Sequence, residues 1–397
     1  MSRIRPFVGN ELIKVLTGLR RSGKSVMLEL IQTELVEQGV SESQFVKFNF
    51  ENMKNTKLRT AEALHEEVTA RIAEVNGKAY LFFDEIQEVN EWERCVNSFC
   101  VEFDCDIYIT GSNARLLSGE LATYLAGRYV EFVVYPFSFS EFLEGYMPLF
   151  PNKTKQEAFA QYLVTGGLPY LGNLRYEDVP SQIYLQDLFN SVVLKDIVKC
   201  NGVRDVDLLE RIIAYVFGGI GTTFSAASIS KYFKSEQRIA TPETIMNYIS
   251  YCVDAFLFYK VRRQDMQGKK LLTVNEKYYV ADHGIREAVF GGNMKDINLI
   301  LENTVYMEAL RRGYKVTVGK AGAQEIDFIC ERRAEKLYIQ VSYLLASEET
   351  IRREFGVYDF IRDHFPKYVV SLDEFDMSRN GIRHTNIRNF LLASEWG

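Results

Sequence analysis

Short apolar runs alternate with an amphipathic stretch in the first third of the chain. Four runs are typical of strands, at Leu12–Leu16, Gln44–Phe50, Ala79–Phe83 and Asp106–Ile109. The second run alternates with a period of two, as a strand with one exposed face does, whereas the third is apolar throughout and predicts a buried strand. Between the first two runs, Val26–Leu35 places its apolar residues on one side of a helix. This order of strands and helices predicts an α/β domain.

The middle of the chain has mainly helical patterns. Residues 153–200 carry apolar residues at helical spacing, which predicts a helical lid or connector. A short helix is expected at Ser225–Phe233. Another is expected to begin beside Thr241, a good N-cap, with Pro242 at the first helical position. Helices followed by two strands indicate a winged helix, and the wing strands would be Phe256–Val261 and Lys277–Val280.

The last hundred residues return to a mixed pattern. A helix is expected from Leu301, and two apolar strands are expected at Gln324–Ile329 and Leu337–Ser342. These elements predict a further α/β domain.

Composition restricts the class of protein. A chain of 397 residues has room for two to four domains. It has no apolar run long enough to span a bilayer, and Met1–Pro6 lacks the apolar core of a secretory signal. We therefore expect a cytoplasmic protein without a membrane partner. Its six cysteines show no paired C-x-x-C spacing, which favours buried thiols over a zinc site.

Residues 18–25 read G-x-x-x-x-G-K-S, the pattern of a phosphate-binding loop between a strand and a helix. Gly18 and Gly23 allow backbone angles that other residues avoid, so the loop amides can face the phosphates of ATP. Lys24 is predicted to bind the β- and γ-phosphates, and Ser25 is predicted to ligate Mg²⁺. The alternative is an ordinary glycine turn. The predicted nucleotide-binding residues are Gly18, Leu19, Arg20, Arg21, Ser22, Gly23, Lys24 and Ser25.

Two acids end the apolar strand that begins at Ala79. At the carboxyl end of a buried strand, Asp84 would lie beside the loop and hold Mg²⁺. Glu85 would then act as the general base that polarises the attacking water. The alternative is a polar strand end without a catalytic role.

Two further residues are candidates for contact with the γ-phosphate. Asn113, or less favourably Ser112, follows the next strand and could reach the phosphate or the water, although an asparagine there also suits a turn. Arg128 is a candidate arginine finger, supplied within the chain or by a neighbouring subunit, or else a surface arginine. Arg20 and Arg21 could contact phosphate or pack against acids.

Several motifs together resemble the prokaryotic AAA+-type ATPases that carry a C-terminal domain of unknown function. They are Gly18–Ser25, Phe82–Gln87, Thr110–Ala114, Ala126–Arg128, Tyr135–Phe139, Thr165–Pro169 and Val193–Val198. The resemblance covers nearly the whole chain. It implies a parallel five-stranded sheet in which the catalytic acid has its own strand, separate from that of the phosphate loop.

The C-terminal segment resembles the restriction-endonuclease-like nucleases, which use an Asp and a Glu to hold Mg²⁺ and a Lys to activate water. Asp327 has the position of the Asp, and Glu302 or Glu308 could be the accompanying acid from the helix. Gln340 replaces the second metal acid and Ser342 replaces the lysine. A neutral amide is a weaker ligand for a hard cation. We therefore expect a nuclease-like fold without nuclease activity, and an unrelated α/β domain is the alternative.

Charge bears on whether the winged-helix region binds DNA. Thr241–Cys252, the expected recognition helix, has no Lys or Arg and one acid, Glu243. The wing is richer in basic residues, namely Arg262, Arg263, Lys269 and Lys270. Residues 225–275 hold eight basic and four acidic residues, a local charge of +4, in a chain of net charge −6. DNA is a candidate partner, and a protein interface is the alternative.

These observations favour a Mg²⁺-dependent ATPase whose nucleotide state arranges its C-terminal domains. The alternatives are a protein-binding switch with little turnover and an ATP-dependent DNA-processing protein. Besides ATP, the candidate partners are further copies of the chain and a protein of unknown identity. Four domains are predicted: a P-loop ATPase domain at 1–150, a helical lid or connector at 151–205, a winged-helix-like domain at 206–290 and a degenerate nuclease-like domain at 291–397.

Overall fold

A computed structural model of the chain describes residues 1–117, 127–238, 240–265, 271–321 and 324–396. They form two compact units. Unit 1 comprises Met1–Tyr135 with Asp254–Phe256, and unit 2 comprises Pro136–Val253 with Leu257–Gly397. In the described residues no helix is both long enough and apolar enough to cross a bilayer.

Unit 1 contains a five-stranded sheet in the order β2-β3-β4-β1-β5, and every neighbouring pair is parallel. Its strands are β1 Ile13–Thr17, β2 Phe45–Asn49, β3 Ala79–Asp84, β4 Cys105–Gly111 and β5 Tyr129–Val133. Its helices are α1 Lys24–Glu37, α2 Ala61–Ile72 and α3 Trp92–Glu102. The predicted α/β fold with a parallel N-terminal sheet flanked by helices is confirmed.

Burial explains the strand patterns. All residues of β1 and β3 are buried, which agrees with their apolar runs, whereas β2 is an edge strand that buries alternate residues. Helix α1 packs Leu28, Ile31 and Leu35 on one face of the sheet. Helices α2 and α3 pack on the other face. Each fully buried Leu, Ile or Phe contributes about 1.5–3 kcal/mol of hydrophobic stabilisation.

One buried ion pair interrupts this apolar interior. Lys14 on β1 donates to Asp106 at the start of β4, and both side chains are fully buried. Asp106 also accepts hydrogen bonds from the Gly9 amide and the Tyr108 hydroxyl, each at 2.7 Å. Burial lowers the pKa of Lys14, and Asp106 opposes that shift. The pair is stable in this interior because further hydrogen bonds satisfy the carboxylate.

Unit 2 contains helices and a seven-stranded mixed sheet in the order β12-β11-β10-β9-β8-β6-β7. Its strands are β6 Phe258–Asp265, β7 Leu271–Val280, β8 Lys315–Ala321, β9 Gln324–Arg332, β10 Glu335–Val341, β11 Lys367–Ser371 and β12 Arg383–Asn386. Its helices are Phe139–Leu149, Lys155–Thr165, Asp178–Ser191 with a π-helical continuation Val192–Lys199, Val206–Gly218, Ala226–Ser235, Pro242–Asp254, His283–Val289, Ile297–Arg311, Glu348–Gly356 and Ile387–Leu392.

The region predicted as a winged helix has the expected order of elements, three helices before the antiparallel β6–β7 hairpin. The Thr241 hydroxyl caps the third helix by accepting from the Thr244 amide at 3.1 Å. Strand β6 begins two residues later than predicted. The reason is that Phe256 adopts φ +55° and the Leu257 amide bonds back to the Cys252 carbonyl at 2.9 Å, which ends the helix in a tight turn.

The hairpin is not separate from the strands that follow it. β6 pairs in parallel with β8 through Arg263–Asp265, so strands from both sides of residue 290 share one sheet. The four predicted domains stay a prediction.

Candidate functional site

The predicted phosphate loop connects the carboxyl end of β1 to the first residue of α1. Gly18 has φ +138°, and a Cβ there would stand 2.3 Å from the Val134 carbonyl oxygen. Gly23, the residue before α1, has φ +105°. Because both backbones need angles that side chains disfavour, and one also lacks room for a Cβ, the loop needs glycine at these positions.

Lys24 begins α1, and its side chain folds back over the loop. Its Nζ donates to the carbonyl oxygens of Gly18 and Leu19, each at 3.1 Å, and lies 3.9 Å from Glu85 Oε1. The residue is only 4% exposed. Within the described residues the buried Ser22 hydroxyl has no hydrogen-bond partner. A buried ammonium and an unused hydroxyl at a helix N-terminus fit a phosphate anion.

Asp84 ends β3 and receives hydrogen bonds from three directions. Its Oδ1 accepts from the Ser25 hydroxyl at 3.1 Å and the Thr110 hydroxyl at 2.6 Å. Its Oδ2 accepts from the Asn49 side chain at 2.8 Å. Ser25 and Asp84 supply the hard oxygen donors that suit Mg²⁺, and their contact fits the predicted pair of metal ligands.

The sequence prediction missed Asn49 and Thr110. Asn49 ends β2, and Thr110 is the second-last residue of β4, so these residues lie at the ends of the two strands that flank β3. Each is a polar residue at or near the end of a strand, which is the only signal that the sequence offers. Their contact with Asp84 depends on which strands lie beside β3, and the sequence pattern does not show the order of the strands.

Glu85 follows β3 in the left-handed region, with φ +56°. Its amide donates to the Thr110 hydroxyl at 2.8 Å, and its side chain accepts from the Gln87 amide. A left-handed backbone at a non-glycine residue costs of the order of 1 kcal/mol and tends to occur at functional sites. The carboxylate lies beside Lys24, where the predicted general base should be.

Asn113 lies beyond β4, at the same edge of the sheet as the loop. Its Oδ1 accepts from the Arg115 amide at 2.8 Å and begins a short 3-10 helix at Ala114–Leu117. The turn-forming role that the sequence allowed is therefore present. Contact of Asn113 or Ser112 with a γ-phosphate stays a prediction.

Arg128 does not meet the loop of its own chain. It immediately precedes β5, and its carbonyl accepts from the Ile13 amide at the start of β1. Since β1 and β5 are parallel, Arg128 lies at the opposite edge of the sheet, a strand length of about 16 Å from the loop. Its guanidinium donates to Asn97 at 2.8 Å. The structure does not bring Arg128 to the loop of its own chain, and the arginine-finger assignment stays a prediction.

The two loop arginines differ. Arg20 donates to the Glu51 carboxylate at 2.8 Å, which matches the predicted packing against an acid. Arg21 is exposed and adopts φ +67°. The structure therefore supports the packing alternative for Arg20.

In unit 2, Asp327 and Gln340 are joined by internal hydrogen bonds. Gln340 accepts from the Asp327 amide at 3.2 Å and donates to Glu354 at 2.9 Å. Asp327 accepts from the Val341 amide at 2.8 Å. Ser342, two residues after Gln340, is also buried. Because the Gln340 side chain is used on both sides, it fits a structural role better than a metal ligand.

The sequence prediction also missed Lys277 on β7. This residue is 4% exposed, and its Nζ lies 2.6 Å from Glu325 and 3.3 Å from Glu302. Arg263 binds the other oxygen of Glu325 at 2.6 Å. Burial alone would lower the pKa of Lys277, but Glu302, Asp327 and Glu325 together raise it. The ammonium therefore lies among the acids of the predicted nuclease-like site.

The charges of this cluster compensate one another. Burial, and next the Glu302 carboxylate, raise the pKa of Asp327 well above its ordinary value. Lys277 and Arg263 bring two positive side chains to these acids, Lys277 to Glu302 and Glu325 and Arg263 to Glu325. Glu308, the other candidate acid, pairs instead with Arg312 at 2.7 Å. Within the described residues no three His, Cys, Asp or Glu could hold a metal ion. The expectation of no nuclease activity stays a prediction.

The raised pKa of Asp327 makes stability depend on pH. Its folded-state pKa lies above the unfolded value, so its contribution is complete below pH ~4 and is lost as pH rises through the folded pKa, at up to about 1.4 kcal/mol per pH unit. Asp327→Asn removes this titration. As pH rises from 4.5 to 7.5, we expect the free energy of unfolding of the variant, measured in urea, to increase relative to that of the unmodified protein. The exposed Asp359→Asn is the control, and a stability difference independent of pH would contradict the assignment.

Arginines of the wing bear on the DNA prediction. Arg262 is exposed, whereas Arg263 is held by Glu325. Lys269 and Lys270 lie outside the described residues. One of the predicted basic contacts is thus already neutralised within the protein.

Comparisons with known proteins cover both units. Residues 10–143 match a family described as an AAA domain, and residues 156–296 match a domain of unknown function, DUF8612. An uncharacterized protein of Haemophilus influenzae is 34% identical over 393 residues, which is 99% of this chain and 97% of that protein. The uncharacterized protein MJ1544 of Methanocaldococcus jannaschii is 28% identical over 367 residues, 87% of this chain and 78% of that protein.

Among solved structures, the chain is similar to the Walker-type ATPase PABY2304 of Pyrococcus abyssi. The two align over 72% of this chain and 93% of that chain, with a TM-score of 0.53 and 14% identity, so the likeness concerns the fold. The AAA match confirms the resemblance to AAA+-type ATPases. The winged-helix and nuclease-like assignments stay predictions.

Proposed function

We propose that this chain is a Mg²⁺-dependent ATP hydrolase. The chain belongs to the same family as the Haemophilus influenzae protein and has an N-terminal AAA ATPase domain. The observation that carries the proposal is the meeting of four groups at one edge of the sheet. The Ser25 hydroxyl contacts the Asp84 carboxylate at 3.1 Å, and Lys24 lies 3.9 Å from Glu85. A phosphate binder, a pair of Mg²⁺ ligands and a base are thus adjacent.

The loop supplies the binding part of the reaction. Its amides at the N-terminus of α1 and the Lys24 ammonium bind the phosphates of ATP. Ser25 and Asp84 would hold Mg²⁺, which would neutralise charge on the phosphates. Asn49 and Thr110 keep the Asp84 carboxylate oriented through bonds of 2.8 and 2.6 Å.

Glu85 supplies the proton acceptor. Its carboxylate is only partly accessible, because the residue is 8% exposed, and it projects beside Lys24 rather than into bulk water. A carboxylate in this position accepts a proton from the water that attacks the γ-phosphate. Thr110 contacts both Asp84 and the Glu85 amide, so one hydroxyl orients the metal ligand and the base together.

We extend the proposal to the effect of the nucleotide on the rest of the chain. All groups assigned to hydrolysis lie within Met1–Tyr135, so an effect on residues 136–397 must be transmitted as a change of conformation. Binding and hydrolysis of ATP would then control the arrangement of the C-terminal part or its assembly with other copies.

The test measures steady-state ATP hydrolysis with Mg²⁺ and with excess EDTA, together with native mass with and without ATP. We expect turnover that requires Mg²⁺. ATP binding that changes the native mass without turnover would favour a nucleotide-gated switch and contradict the hydrolase. DNA is added at about 50 and about 200 mM salt, because its affinity falls steeply with salt. Stimulation at the lower concentration would support the DNA-processing alternative.

A further inference from the structure

We propose that Gln87 is a positioning residue for Glu85, an inference that rests on the proposed hydrolase function. Gln87 lies two residues after Glu85, in the 3-10 helix Ile86–Glu88 that follows β3. This turn brings its side chain back to the carboxylate, where the Gln87 Nε2 donates to Glu85 Oε2. A hydrogen bond to a charged acceptor is stronger and more directional than a neutral one.

The two oxygens of Glu85 consequently have different surroundings. Oε2 is held by the Gln87 amide, whereas Oε1 faces the Lys24 ammonium at 3.9 Å. When Lys24 binds phosphate, its attraction for Oε1 is shared with the nucleotide, while the bond to Gln87 stays within the protein. Gln87 therefore fixes the orientation of the carboxylate and leaves Oε1 to accept the proton from water.

Gln87 also contacts the strand tip that carries the other candidate for γ-phosphate contact. Its Nε2 lies 3.5 Å from the Ser112 hydroxyl, one residue before Asn113. The side chain packs against Gly111, where a Cβ would stand 3.0 Å from the Gln87 Oε1. A shift at this strand tip would reach Glu85 through one side chain.

The environment of the Gln87 side-chain oxygen indicates that this arrangement does not serve stability. In the part of the chain that the structure describes, the Gln87 Oε1 is buried without a hydrogen-bond partner. The Glu85 carboxylate determines that the Nε2 end of the Gln87 amide faces it, because the amide oxygen in that place would be repelled. A buried acceptor without a partner is unfavourable, and such groups in native proteins call for a functional explanation.

Two variants of similar shape separate positioning from structure. Gln87→Met removes the donor, and Gln87→Glu replaces it with a second carboxylate. For Gln87→Met we expect kcat to fall about tenfold or more while KM for ATP stays within about twofold. For Gln87→Glu we expect a larger fall in kcat, because a second carboxylate in place of the donor repels the Glu85 carboxylate. Lys24 and Asp84, the charged neighbours of Glu85, are unchanged in both variants.

Gln44→Met is the matched control. The Gln44 side-chain amide also donates, to the Lys78 carbonyl at 2.9 Å. Gln44 precedes β2, however, and so lies at the opposite end of the strands from the phosphate loop. Thermal unfolding and ATP affinity are measured for all variants. A kcat in Gln87→Met or Gln87→Glu equal to that of Gln44→Met, or a loss in Gln87→Met that appears in KM rather than in kcat, would overturn the inference. If the unmodified protein binds ATP without hydrolysing it, the hydrolase proposal fails first, and the positioning role fails with it.

Discussion

Lys24→Ala is expected to abolish measurable ATP binding, with Kd raised more than about 100-fold, which corresponds to about 2.8 kcal/mol. Lys24 is the first residue of α1 and is almost fully buried against the loop. Removing its ammonium removes the positive charge closest to the expected phosphates and also the two bonds that close the loop on the Gly18 and Leu19 carbonyls. The loop therefore loses both charge and shape.

The measurement is equilibrium binding of ATP, by calorimetry or with a fluorescent analogue, in the presence of Mg²⁺. Lys47→Ala is the matched control, because Lys47 lies on β2 of the same sheet but is exposed. Thermal unfolding of both variants tests whether the fold is intact. A folded Lys24→Ala protein that binds ATP as tightly as Lys47→Ala would contradict the assignment of the phosphate loop.

Glu85→Gln is expected to bind ATP with nearly unchanged affinity but to lower kcat by about 10²–10⁴-fold, the usual contribution of a positioned general base. The substitution keeps the size of the side chain and removes its ability to accept a proton. It also removes a negative charge 3.9 Å from Lys24, which makes the site more attractive to phosphate rather than less. Binding and turnover should therefore separate.

The measurement pairs ATP affinity with steady-state phosphate release over several hours. Glu88→Gln provides the comparison, since Glu88 lies in the 3-10 helix Ile86–Glu88 that directly follows Glu85 but faces Arg59 at 3.8 Å. Unchanged turnover in Glu85→Gln would reject Glu85 as the base. Equal losses in both variants would indicate damage to the 3-10 helix instead.

The parts of the fold that could be predicted from the sequence depend on local patterns. The loop glycines, the apolar runs of β1 and β3 and the cap at Thr241 are each set by a few consecutive residues. Asp84 and Glu85 were found for the same reason, because they end an apolar strand downstream of a phosphate-loop motif. Their proximity to Lys24 then follows from parallel strands sharing one edge.

Other features depend on pairs that are distant in the sequence. Arg128 was a candidate as a single positive charge, but the parallel pairing of β5 with β1 places it at the edge of the sheet opposite to the loop. Lys277 gave no signal as a single lysine in a strand, and its role appears only when Glu302 and Glu325 pack around it. Lys14 likewise breaks an apolar run, and only β4 supplies its partner Asp106.

The seven-stranded sheet limits how the β6–β7 hairpin can move. In a winged helix that grips DNA, the wing is a projecting hairpin that can flex on its own. Here the edge of β6 is covered by β8, through the backbone pairing of Arg263–Asp265 with Val318–Lys320. A rotation of the hairpin would break that ladder or move β8 with it. The hairpin is therefore mechanically coupled to the strand that follows it in the sheet, across three residue pairs.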